Sequence, residues 1–335
     1  MTEEYHVAQI PLQYEEERKV LATFLTRHKL TCEPDIQTAF GIYDENDTLA
    51  GCGCAAGALL KCFAVEPELR GQNALGLLVS SLIQERFAAG FYDLFVITRR
   101  ENEKLFVNCG LYPVVQTPNL VLLENMQNGP ANFASQFRKP GDEYWQAGAI
   151  VMNCNPFTLG HRALIEYAVR QCDVLHIFVV SEDRSCFPAS VRCRLVQEGT
   201  ADLPNVRVHL SGKYMISAAT FPTYFLKKGE DAAALQSELD ITLFAECIAP
   251  QLNITKRFAG EEPLDPITAK YNDAMRRILP EYGIEFCEIP RSAGNGEIIS
   301  ASRVRMLLME RGVCKEALAL VPQCTQRYLE TEFKK

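Results

Sequence analysis

One stretch limits what this chain can become more than any other. Residues Ala149 to Arg170, AIVMNCNPFTLGHRALIEYAVR, pass from the pattern of a strand to that of a helix within a few positions. Ala149 to Met152 is a short apolar strand, and Asn153-Cys154-Asn155-Pro156 is a tight polar turn. Thr158-Leu159-Gly160-His161 then opens an amphipathic helix. A strand, a turn and a helix start gather unpaired backbone N–H groups and the positive end of a dipole at one spot, which suits a phosphate. Gly160 has no Cβ to keep a ligand away, and His161 can donate a hydrogen bond to a phosphoryl oxygen. Beyond this corner, strands alternate with helices: Val174 to Val180, Val206 to Leu210, Ile254 to Ala259 and Ile284 to Ile289 are the further strands. Val174 to Val180 is apolar at nearly every position, as a strand buried on both faces of a parallel sheet must be. The pattern predicts a doubly wound, Rossmann-like α/β domain, with ligands at the carboxyl ends of its strands.

The 335 residues suffice for two domains. Residues 1–125 read as a mixed α+β unit. A helix is expected over Glu15 to His28, strands over Phe40–Tyr43, Leu49–Cys54 and Ala58–Val65, a helix over Ala74–Ala88, and strands over Tyr92–Thr98 and Leu120–Leu123. Residues 126–147 are polar, broken by Gly129-Pro130 and Pro140-Gly141, and read as a linker. Residues 148–335 form the α/β domain.

A formal net charge of −8 with no basic block speaks against a nucleic-acid partner. No apolar run reaches signal-peptide or membrane-span length, so a cytoplasmic chain with no membrane partner is expected. The 13 cysteines contain no Cys-x-x-Cys and the 5 histidines no His-x₃₋₅-His, so no metal site is expected. His176 and His209 lie on apolar strands and read as satisfied core histidines.

A second motif completes the first. Ile299-Ser300-Ala301-Ser302-Arg303-Val304-Arg305 follows Gly294-Asn295-Gly296 and the last strand. Ser300 or Ser302 can cap a helix running to Arg311, with Gly312 as its stop. These hydroxyls, the helix-start amides and Arg305 suit a polyphosphate tail.

The His/Thr-x-Gly-His motif after the first strand, paired with Ile-Ser-x-Ser-x-Val-Arg after the last, resembles the nucleotidyltransferase superfamily. The resemblance implies ATP, with Mg²⁺, between the motifs and attack at its α-phosphate. It makes His161 the stabiliser of charge at that phosphoryl group, Thr158 a second donor, and Arg305 with Ser300 and Ser302 the holder of the β- and γ-phosphates. Asn155, Pro156, Phe157 and Gly160 then line the nucleotide, with Gly260 and Glu261 at the fourth strand's end. Glu262, Lys213, Lys270 and one of Arg192 and Arg194 are further candidates, each with an ordinary surface reading beside it. In the front unit, the Val65 to Gly76 segment and Asn102 through Phe106 to Gly110-Leu111-Tyr112 resemble a GNAT-type acetyltransferase domain. That likeness implies a diphosphate-holding loop at Arg70 and Gly71, although Asn73 and Leu75 stand where the family has small residues.

Taken together, the GNAT-like front, VMNCNPFTLGHR, the FAGEEP…PITAKYNDAM segment and ISASRVR resemble the citrate (pro-3S)-lyase ligase family along essentially the whole chain. The resemblance implies activation of acetate as an acetyl-adenylate. Acetyl then passes to the dephospho-CoA-derived thiol on the citrate lyase acyl carrier subunit. Selectivity for acetate is expected in a small apolar pocket near Phe157 and Phe221. An adenylyltransferase with a nucleotide product, or a GNAT-type N-acetyltransferase, is the alternative.

Overall fold

The computed structural model describes residues 5–181, 186–215, 221–262, 265–290, 293–294 and 297–333. The chain divides into two compact units, Met1–Gly129 with Ile216–Leu239, and Pro130–Met215 with Asp240–Lys335.

The first unit is mixed α+β. Its strands are β1 (His6–Gln9), β2 (Thr38–Tyr43), β3 (Leu49–Ala56), β4 (Leu59–Val65), β5 (Phe95–Arg99), β6 (Tyr112–Gln116) and β7 (Leu120–Glu124), and its helices α1 (Glu15–Arg27), α2 (Ala74–Ala88) and α3 (Glu103–Val107). They make one sheet in the order β1-β2-β3-β4-β5-β7-β6. Helix α1 buries Leu21, Phe24 and Leu25 at helical spacing, and α2 buries Leu78, Val79 and Leu82. Of these strands, the sequence pattern anticipates all but β1 and β6. Both are edge strands with incomplete burial, and β6 carries Pro113, which an edge tolerates because one row of its N–H groups has no strand partner. Neighbouring strands run antiparallel except β4 and β5, which pair in parallel only at Leu59↔Phe95 and Leu60↔Val96 and then part.

In the second unit, α4 (Gly129–Ser135) leads to β8 (Ala147–Met152), α5 (Leu159–Ala168), β9 (Val174–Val179), α6 (Ala189–Gly199) and β10 (Val206–Leu210), and α7 (Ala232–Leu243) begins in the first unit and ends in the second. There follow β11 (Ile254–Gly260), α8 (Pro266–Ile278), β12 (Glu285–Ile289), the short pair β13 (Ala293–Gly294) and β14 (Glu297–Ile298), α9 (Ala301–Arg311), α10 (Lys315–Leu318) and α11 (Gln323–Thr331). Helix α6 starts at Ala189 with Pro188 as its N-cap. Five strands form a wholly parallel sheet in the order β10-β9-β8-β11-β12. Every residue of β9 is buried, as its apolar run requires.

One sheet face carries Ile150, Met152, Leu175, Ile177, Val179 and Phe258 into a single apolar cluster with Phe157, Ile165, Val196, Val304, Leu308 and Leu329. The other face is more polar. Register aligns Arg257, Ala149, His176 and Arg207 across four strands. His176 Nδ1 lies 3.0 Å from His209 Nε2, so the two core histidines satisfy each other. Within residues 126–147, Phe133 packs on Phe137 and Tyr214, Phe137 lies 4.1 Å from the His209 ring, and Asp142 forms a two-pronged ion pair with Arg207 at 2.5 and 2.7 Å. The strand order reverses between β8 and β11, and a parallel sheet presents its ligand crevice at such a reversal.

Candidate active site

Strand β8 delivers the Asn153–His161 turn to that crevice. Thr158 is the N-cap of α5, and the cap is reciprocal. The Thr158 hydroxyl accepts the His161 N–H at 3.3 Å, while the Thr158 N–H donates to His161 Nδ1 at 3.1 Å. With Nδ1 accepting, a neutral imidazole carries its proton on Nε2, which makes Nε2 a donor. The ring stacks on Phe157, with centroids 6.0 Å apart and planes 10° from parallel. Thr158 is 1% exposed, and its hydroxyl also lies 3.0 Å from Nδ1. In this geometry it fixes the helix start and orients the imidazole. Phe157 is fully buried in the apolar cluster, and its carbonyl accepts from Thr325 at 3.0 Å. Phe221 belongs to the first compact unit.

The two motifs meet. A Cβ on Gly160 would stand 2.8 Å from the Ile299 carbonyl oxygen, so the missing side chain admits the backbone preceding α9, not only a ligand. Arg305 Nη1 donates to the Asn155 carbonyl at 2.5 Å and Nη2 to the Ser302 hydroxyl at 3.0 Å, tying α9 to the turn after β8. Ser300 caps α9 by accepting the Arg303 N–H at 3.1 Å. Both serine hydroxyls act as acceptors here and keep a proton to donate, and a guanidinium has five N–H donors, of which two are used. The corner thus joins two helix N-termini, an imidazole, two hydroxyls and a guanidinium.

Gly260 ends β11, the sheet neighbour of β8, and a Cβ there would meet nothing within 4 Å. The Glu261 N–H donates to the Ile289 carbonyl at 2.8 Å, and the Gly260 carbonyl accepts from Asn272 at 3.0 Å. Glu261, Lys213 and Lys270 are exposed, and Glu262 is half-buried. Pro263, Asn295 and Gly296 lie outside the described residues. Arg70 and Gly71 sit in the first unit between the turn Pro67–Leu69 and α2.

Arg192 does more than its sequence reading allowed. It is fully buried and donates to the carbonyls of Asn153, Phe187 and Val180 at 2.7, 2.9 and 2.8 Å, and to the Asn153 side chain at 2.7 Å. It holds the carboxyl ends of β8 and β9 together. The signal was present: Arg192 shares the buried face of α6 with Ala189, Cys193 and Val196 at helical spacing. Arg194 makes a surface pair with Glu332 at 2.8 Å. The Asn155 side chain accepts the Phe187 N–H at 3.3 Å, which fixes the turn from the other side.

Burial is the main reason His176 and His209 stay neutral. It lowers them to about 4 and about 3, with Arg207 adding to both and His176 acting on His209. Arg207 in turn holds the Asp142 carboxyl below its usual range. Among the described residues, no group of three or more His, Cys, Asp or Glu is arranged to hold a metal ion. No described helix is long and apolar enough to cross a membrane.

Residues 147–329 match the family model for the citrate lyase ligase C-terminal domain. Over 320 residues the chain is 41% identical to the citrate (pro-3S)-lyase ligase of Klebsiella pneumoniae, covering 93% of this chain and 92% of that protein. The ligase of Escherichia coli strain K12 is 39% identical over 319 residues, covering 92% and 89%. That of Haemophilus influenzae is 38% identical over 317 residues, covering 93% and 94%.

Proposed function

The chain belongs to the citrate (pro-3S)-lyase ligase family, and from that membership we propose how its residues divide the work. It is an ATP-dependent acid–thiol ligase that uses acetate to activate the prosthetic thiol of citrate lyase. ATP enters as substrate with Mg²⁺ as its counter-ion, and the thiol belongs to the acyl carrier subunit of the lyase.

Acetate is ionised at neutral pH and needs no base. Its oxygen attacks the α-phosphorus of ATP, the bond to the bridging oxygen breaks, and pyrophosphate leaves. The thiol sulfur then attacks the acetyl carbonyl carbon, the C–O bond to AMP breaks, and the thiol proton is lost to solvent. The first step calls for alignment and for donors where charge develops. In this reading His161 Nε2–H faces an α-phosphoryl oxygen, and the amides opening α5 add the positive end of its dipole. Ser300, Ser302 and the remaining N–H groups of Arg305 take the leaving pyrophosphate. Asn155 and Pro156 shape the floor of the site, and Gly260 with Glu261 flanks the nucleoside. The observation that carries this assignment is the closure of the two motifs on each other, through Gly160 against Ile299 and Arg305 against Asn155.

Acetate-dependent exchange of labelled pyrophosphate into ATP tests it. Replacing His161 with Ala removes the donor and half of the capping box, and exchange should fall by roughly a hundredfold or more. Near-normal exchange in a folded His161→Ala protein would make this corner structural. Exchange without acetate would instead favour a nucleotide product.

A further inference from the structure

The first unit resembles domains that hold an acyl-CoA, but its residues do not fit one. Asn73 has left-handed backbone at φ 62°, and its carboxamide lies across the first turn of α2. A Cβ on Gly76 would come within 2.3 Å of the Asn73 Oδ1. The amides that a diphosphate needs at this helix start lie under a side chain.

A second obstruction lies between β4 and β5. Parallel strands that part leave backbone groups in need of partners. Beyond the last pair, Leu60↔Val96, the gap is taken by Tyr224. Its phenol donates to the Ile97 carbonyl on β5 at 3.4 Å and meets the backbone of Cys62 on β4, and the residue is 4% exposed. The segment bearing Tyr224 is fastened along its length. The Thr31 N–H donates to the Tyr224 carbonyl at 3.0 Å. Glu33 accepts from the Thr223 N–H and hydroxyl at 2.7 and 2.6 Å, while its other oxygen accepts from the buried Lys61 at 2.8 Å. Arg99 lies over the Phe225 ring, donates to the Phe225 carbonyl at 3.3 Å and pairs with Glu230. Glu230 also accepts the Lys227 N–H at 2.6 Å.

We propose that the first unit is a receptor for its own chain: residues 221–230, led by Tyr224, occupy the gap between β4 and β5 where an extended thiol-bearing arm would lie. Asn73 closes the diphosphate end of the same path. This unit therefore takes no CoA-like ligand; it anchors a segment contributed by the later half of the sequence. The pantetheine-type arm of the acceptor thiol is received elsewhere. All of these contacts lie within the first unit.

Amide hydrogen exchange on the full chain tests both halves of the proposal, with coenzyme A itself as the probe. Millimolar coenzyme A should leave exchange unchanged over 59–65, 71–78 and 95–99. Protection of these peptides would overturn the proposal. With no ligand, Tyr224→Ala should speed exchange of 221–230 and of the Thr31 amide by roughly tenfold or more. Exchange in β8 and α5 should stay native, showing that the fold persists. Tyr224→Phe, which keeps the ring and loses the donor, should give a smaller rise confined to 221–226. Native exchange in both variants would refute the anchoring. Because no turnover is read, failure here leaves the adenylation reading untouched, and the reverse holds too.

Discussion

Replacing Gly160 with Ala is the sharpest test of how the site is built. The new Cβ would stand 2.8 Å from the Ile299 carbonyl oxygen and 3.6 Å from the Ile299 Cβ and Cγ2. Ordinary contact begins near 3.4 Å, so the starts of α5 and α9 must move apart by about 0.6 Å along that line, and the obstacle is backbone rather than a pliable side-chain tip. Alanine in a helix is favoured over glycine by up to ~1 kcal/mol. Overpacking costs about 1–3 kcal/mol. The net change in stability should be a loss of about 0–2 kcal/mol, read as a modest fall in the thermal midpoint. Activity should suffer more. Parting the helices pulls Arg305 off the Asn155 carbonyl and shifts both serines relative to His161. A displacement of this order lowers rates by roughly 10- to 100-fold. Acetate-dependent pyrophosphate exchange, measured at saturating ATP beside a melting curve, separates the two effects. Exchange within twofold of native in a folded Gly160→Ala protein would refute the claim that close approach of the motifs makes the site.

Two further outcomes follow from the buried polar groups of the second unit. Arg192→Met strands the carbonyls of Asn153, Val180 and Phe187, and should cost roughly 3–5 kcal/mol in urea denaturation. Arg194→Met, on the surface, should cost less than about 0.5 kcal/mol; equal losses would contradict the clamp. The histidine pair sets a pH dependence. An unfolded histidine takes a proton near pH 6.5, but burial keeps His176 neutral in the fold down to about pH 4, with Arg207 and Lys139 also opposing its charge and Asp142 favouring it. The pair's contribution is therefore whole above pH 6.5 and is lost as pH falls toward 4. For His176 that loss is about 3 kcal/mol, since each unit is worth about 1.4 kcal/mol. Denaturant midpoints at pH 7 and pH 5 read the first part of it, about 2 kcal/mol for His176. A slope that persists undiminished in His176→Phe/His209→Phe would assign it to other groups.

Much of this was legible in the sequence because it depended on local pattern. The switch of period between Ala149 and Arg170 determined a strand, a turn and a capped helix. The apolar run at Val174 demanded a parallel sheet, and the Ser300–Arg305 motif announced a second helix start. Family membership followed from those motifs together. Side-chain tasks were less legible, because a residue type does not say which partner it will meet. Thr158 has a hydroxyl, and only the cap geometry turns it inward to fix His161. Arg192 is a charged residue whose pattern on α6 put it on the buried face, yet the carbonyls it satisfies come from three separate segments. Gly160 promised room, and the tertiary structure decided that Ile299, about 140 residues on, uses it. Tyr224 is the furthest case. Nothing near it in the sequence marks it as a plug, since the gap it fills exists only because β4 and β5 pair over two residues and then part. Periodicity, caps and turns are set by neighbours along the chain; the occupant of a gap is set by which distant segment reaches it first.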